Sequence, residues 1–195
     1  DVYKRQLGSD TDGAVTYSIV VGDLAGNPGV AVTTGTGSVT FDDTDPARTS
    51  VVVASNNSLV THAKSGNVVT VELTTDVAVS QPVVVFKSGG AVLNNASGRV
   101  ITYTNTNSPN KTEWSVAYTV DASDTDGLVS FDIDFSDIAG NAAATVTSVT
   151  DTSSVVVDTT APTLTSVEIA SSFSTNTQAS INLSLIHISE PTRPM

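Results

Sequence analysis

Residues 123–141 read SDTDGLVSFDIDFSDIAGN, and the fold turns on this stretch. Val129, Phe131, Ile133 and Phe135 alternate with Ser130, Asp132 and Asp134. A period of two sets the apolar side chains on one face of a strand and the polar ones on the other. Asp132 and Asp134 then form a solvated face. An Asp-Thr-Asp-Gly turn signal precedes the strand and Asp-Ile-Ala-Gly-Asn follows it. In the second turn the Asp carboxylate can bond backbone amides two residues on. Gly and Asn tolerate the left-handed conformation of a bulged hairpin. This turn is expected between the last two strands of a domain.

The stretch occurs twice. SDTDGAVTYSIVVGDLAGN at 9–27 matches it without a gap, 114 residues earlier. FDDTDPARTSVVVAS at 41–55 likewise matches VDTTAPTLTSVEIAS at 157–171, with an offset of 116. A unit of about 115 residues is large enough for its own core, so the pattern is an array of domains rather than a solenoid of short units. The array divides into the C-terminal part of one repeat (7–42), a complete repeat (43–157) and the start of the next (158–182).

Inside the complete repeat the alternation recurs between turn signals. Val51 and Val53 share a face, and Val69, Val71 and Leu73 alternate with Thr70, Glu72 and Thr74. PVVVFK follows at 82–87, then Ile101 and Tyr103, then Trp114, Val116, Tyr118 and Val120. After the strand at 127–135, ATVTSV and SSVVVD close the unit. About seven strands in this length predict an all-β, two-sheet sandwich with Trp114 as a core anchor. Residues 7–42 should form only a hairpin and linker, because five strands of their sandwich are missing. Residues 163–182 should be a lone strand or disordered.

The two ends do not read like the rest. One back-translation of DVYKRQ, residues 1–6, has a reverse complement that encodes LSLIHI, residues 183–188. The pair looks like a transposase end sequence used in sequencing-library preparation, translated with the insert. Residues 1–6 and 183–195 are therefore set aside as artefact, and the natural protein is expected to continue in both directions.

The full chain carries 20 acidic and 8 basic residues. Leaving out Asp1, Glu190, Lys4, Arg5 and Arg193 makes that 18 acids and 5 bases, a net charge of −13. Such a surface repels nucleic acid and anionic membrane and suits divalent cations. There is no cysteine, hence no disulfide framework or thiol chemistry. No apolar run approaches the ~20 residues of a membrane helix, so no membrane insertion is expected. His62 is the one histidine outside the terminal segments, expected as a polar residue in the loop after the first strand. No nucleophile elbow, phosphate-binding loop or zinc helix motif is present, and catalysis is not expected.

An Asp-x-Ala-Gly-Asn turn, followed by a strand ending in Val-Asp-Thr-Thr-Ala-Pro-Thr at 157–163, resembles the bacterial immunoglobulin-like repeats of large secreted surface proteins and adhesins. At 43–47 the chain reads DTDPA, a departure from the DTTAPT boundary. The resemblance implies an immunoglobulin-like sandwich in tandem array and an extracellular, cell-surface location. It implies a structural spacer role, adhesin-like in kind, and in some members calcium between domains.

Topology suggests where calcium would sit. In an antiparallel sandwich of seven strands the termini lie at opposite ends. The loop holding Asp124 and Asp126 then lies beside the outgoing linker at Asp158. One repeat earlier, Asp10 and Asp12 lie beside Asp42, Asp43 and Asp45 and meet Asp76 and Asp137 of the complete repeat. A hard cation taking 6–8 oxygens would neutralise such a joint. The loops do not fit an EF-hand, since Gly127 at position 6 would put Ala122 at position 1. Expected partners are neighbouring repeats, with a host-cell, glycan or biofilm-matrix ligand for an adhesive tip. The rival readings are a glycan- or protein-binding module and an accessory domain of a large secreted enzyme.

Overall fold

The computed structural model describes residues 11–93 and 100–167. Two compact units divide it, Asp1–Thr159 and Thr160–Met195. In the second, residues 160–167 are exposed and form no strand or helix, and the rest of the expected lone strand lies outside the described residues.

The first unit is all-β. Its C-terminal part is a sandwich with one hydrophobic core running from Val51 to Val157. One sheet holds β3 (Arg48–Ser55), β5 (Val68–Thr75), β9 (Glu113–Thr119) and β8 (Thr102–Asn105), in that order and all antiparallel. The facing sheet runs β4 (His62–Ala63), β11 (Val156–Val157), β10 (Gly127–Asp134), β6 (Val83–Ser88) and β7 (Ala91–Val92). Here β4 and β11 pair in parallel and the others antiparallel.

Alternation sets the register, because slipping by one residue would turn every apolar side chain to water. Val53 lies opposite Val71, Val71 opposite Val116, and Val116 opposite Tyr103. Across β10 and β6, Phe131 lies opposite Phe86 and Ile133 opposite Val84. Phe86 of one sheet meets Tyr118 of the other with ring centroids 4.7 Å apart. Trp114 is buried, and its indole N–H donates to the Lys111 carbonyl at 3.3 Å. On the outer face Lys87 pairs with Asp132 at 2.6 Å, each side chain about a third exposed, so the pair contributes little.

Three expectations change in detail. The described part of the complete repeat has nine strands instead of about seven, because the short strands β4 and β7 are added. His62 lies in β4 rather than in a loop, pairing with Val156 of β11. ATVTSV at 144–149 forms no strand and keeps only a bridge from Val146 to Ile133. The cause is a crossing. Beyond Val146 the chain leaves β10 for the open edge of β3, where Thr150 Oγ1 and Ser153 Oγ accept the Val51 and Val53 N–H groups at 2.9 and 3.0 Å. Two unpaired donors of an edge strand are thus satisfied.

N-terminal to the sandwich, β1 (Gly13–Ala14) pairs with β2 (Thr40–Phe41). Bridges from Ile19 to Val32 and from Gly22 to Pro28 continue one hairpin toward the turn. This hairpin lacks a covering layer. Ile133 is fully buried, whereas its repeat equivalent Ile19 is 55% exposed. Val15, Tyr17 and Val21 are exposed too, while Val129, Phe131 and Phe135 are buried.

Equivalent residues should therefore respond differently to truncation. Ile133→Ala should lower unfolding free energy by about 2–5 kcal/mol. Ile19→Ala should change it by no more than ~0.5 kcal/mol. Urea titrations followed by Trp114 fluorescence measure both.

Candidate functional site

The acidic loops gather along the linker of residues 42–47 and at the far end of the sandwich. Two copies of the Asp-x-Ala-Gly-Asn turn have one geometry. Asp137 Oδ1 accepts the Gly140 and Asn141 N–H groups at 2.6 and 2.8 Å, and Oδ2 accepts the Asn141 side-chain amide at 2.8 Å. In the hairpin Asp23 Oδ1 accepts from Ala25 and Asn27 N–H, and Oδ2 from the Asn27 amide at 2.8 Å. Gly26 and Gly140 have φ of 89° and 106°, the left-handed region that favours glycine. The expected left-handed Asn does not occur: Lys111 is the one described non-glycine residue with positive φ. Asn instead closes the turn through its side chain. The recurring spacing of four residues from Asp to Asn was the available signal.

These bonds set the charge state of the turn. Burial alone would push the Asp137 carboxyl up, yet the Asn141 amide and the Asn141, Gly140 and Ala139 N–H groups hold it below the ordinary aspartate range. The Asn27 side-chain amide, then its N–H, lowers Asp23 in the same way.

The glycine that closes the Asp-Thr-Asp-Gly loop has the same φ in both copies, 141° at Gly13 and 140° at Gly127. At Gly127 a Cβ would come within 2.7 Å of the Gly89 Cα, so close packing against the turn after β6 adds a second reason for glycine. Asp12 Oδ1 accepts the Asp43 N–H at 2.9 Å and Oδ2 accepts the Thr44 hydroxyl. The Thr44 hydroxyl and the Asp43 N–H hold the Asp12 carboxyl below its ordinary range. One repeat later, Asp126 Oδ1 accepts the Thr159 N–H at 2.7 Å and its hydroxyl at 2.8 Å.

Asp76, Asp42 and Asp124 also meet donors. Asp76 Oδ1 accepts the Ala47 N–H at 2.9 Å, Asp42 Oδ1 the Thr44 N–H at 3.2 Å, and Asp124 Oδ2 the Asp121 N–H at 3.0 Å. The Asp158 N–H donates to Ala63 in β4, and Asp45 is exposed. Asp10 lies outside the described residues. Asp12, Asp42, Asp43, Asp45, Asp76 and the Asp137 turn therefore line one linker. Asp124, Asp126 and Asp158 lie about 25 Å away, at the other end of β10. Among the described residues no three His, Asp or Glu side chains group so as to hold a metal ion. Where a partner of these aspartates is described, it is an N–H or O–H donor.

A carboxylate with a lowered pKa stabilises the fold above its unfolded value near 4, and that stabilisation is lost as pH falls through the folded value. Asp137→Asn should therefore cost about 1–2 kcal/mol at pH 7, with the difference from the parent shrinking as pH falls below about 4. Melting curves of the two proteins between pH 7 and pH 2.5 measure this.

No protein-family model, curated protein or solved structure matches this chain.

Proposed function

We propose that the chain is a stretch of a tandem array of immunoglobulin-like domains whose work is mechanical: a spacer in a long exported bacterial surface protein, adhesin-like in kind. The observation that carries this reading is the recurrence of one hairpin, once as the last strands of a sandwich and once just before it. In both copies an Asp-Thr-Asp-Gly carboxylate takes an N–H of the outgoing linker. The strand order supports the domain type. Counting β4 as an A′ arm of the first strand, β3-β5-β9-β8 reads A-B-E-D and β4-β11-β10-β6-β7 reads A′-G-F-C-C′, an order in keeping with an immunoglobulin-like sandwich.

Aromatic placement favours a spacer over a glycan-binding module. Trp114 and Tyr118 are buried in the core and Tyr103 packs against it, so none of the three offers a stacking platform to a sugar. Calcium keeps a place in the proposal as a counter-ion for the acidic surface, without a caged position among the described side chains.

A spacer under load should unfold one domain at a time. Pulling a chain of linked copies should produce steps of roughly 380 Å, the length released when residues 43–157 extend at up to ~3.6 Å each from a folded span of one strand length. Smooth extension without such steps would overturn the spacer reading. Capture of glycans by the folded protein on an array would favour the binding module.

A further inference from the structure

The linker is held from both sides. From the hairpin, Asp12 takes the Asp43 N–H and the Thr44 hydroxyl. From the sandwich, the Asn141 side-chain amide donates to the Asp42 carbonyl at 3.1 Å. Asp76 and Ala47 bond reciprocally: the Asp76 carboxylate accepts the Ala47 N–H, and the Asp76 N–H donates to the Ala47 carbonyl at 3.0 Å. Pro46 between these contacts is buried. A free linker of six residues would sample many conformations, and ordering each residue has an entropic cost of about 1–2 kcal/mol. Here the backbone of 42, 43 and 47 is tied directly to residues of the two flanking elements.

We infer that these contacts form a clasp that fixes the orientation of one repeat on the next, with Asp12 and Asn141 as its positioning residues. This rests on the tandem-array reading above. The two offsets supply independent support. Asp12 and Asp126 are repeat equivalents, and so are Asp43 and Thr159, and each pair makes the same carboxylate-to-N–H bond. The backbone N–H is held in both copies, and a hydroxyl beside it as well, from Thr44 in the first and from Thr159 itself in the second.

The chain has no cysteine, so two introduced thiols take spin labels selectively. Ser18→Cys in the hairpin and Thr119→Cys in the sandwich are both exposed positions. Pulsed electron–electron resonance on the full chain in chelator should give a narrow distance distribution. Asp12→Ala and Asn141→Ala should each broaden it by about twofold, as expected for release of a flexible linker. Trp114 fluorescence run in parallel should show the sandwich still folded in both variants. A distribution already broad in the parent, or unchanged in both variants, overturns the clasp. Narrowing that appears only on adding calcium overturns it too, in favour of an ion joint. The spacer reading is decided separately by the force steps, so a broad parent distribution with those steps intact would leave a flexible tether of the same repeats.

Discussion

A sheet with one apolar face needs a second layer over that face, and most of this structure follows from that need. In β10 Val129, Phe131 and Ile133 join the one core and are shut off from water. At ~25 cal/mol per Å² of apolar surface, that covering is the main favourable term. The hairpin shows the same alternating pattern without the layer. Its Val15, Tyr17, Ile19 and Val21 remain exposed although their repeat equivalents form a core. The two copies share 11 of the 19 residues in the matching stretch. What separates a core strand from an exposed one here is the presence of an opposing sheet.

Two sheets facing one another leave edges, and a sandwich of Val and Thr strands has edges prone to pair with other chains. The segment from Val146 to Val155 answers this at β3 by crossing between the sheets. Thr150 and Ser153 give side-chain oxygens to the β3 edge, and Arg48 of the same strand donates to the Ser148 carbonyl at 2.9 Å. The segment gives up a regular ladder with β10 in exchange. This is why a run that alternates like a strand in sequence is irregular in space.

The aspartates form a second system, built on backbone geometry. Gly-containing turns leave N–H groups that no strand partner can reach, and a carboxylate accepts several of them at once. Asp137 and Asp23 do this, while Asp12, Asp126 and Asp76 each take one backbone N–H of a linker segment. Net negative charge also makes chains of this kind repel one another.

Much was legible in the sequence because it is local. Period-two alternation identified the buried faces of β3, β5, β9 and β10 residue by residue, including Trp114, since side-chain direction in a strand is a matter of parity. Self-comparison located the hairpin and its bare second copy. The Asp-to-amide turns were legible as well, because their partners lie within four residues. Strand parity put the Asp76 and Asp137 loops beside residues 42–45, but the individual long-range partners were not legible. Nothing near Asn141 in sequence points to the Asp42 carbonyl, nothing near Asp76 to Ala47, and nothing near Thr150 to Val51. The irregular course of residues 144–149, the pairing of His62 with β11 and the clasp on the linker arise only when distant segments meet. Sequence by itself determined which face of each strand is apolar and which turns hold themselves closed. Tertiary structure decided which backbone donors stayed open and which side chains came to fill them.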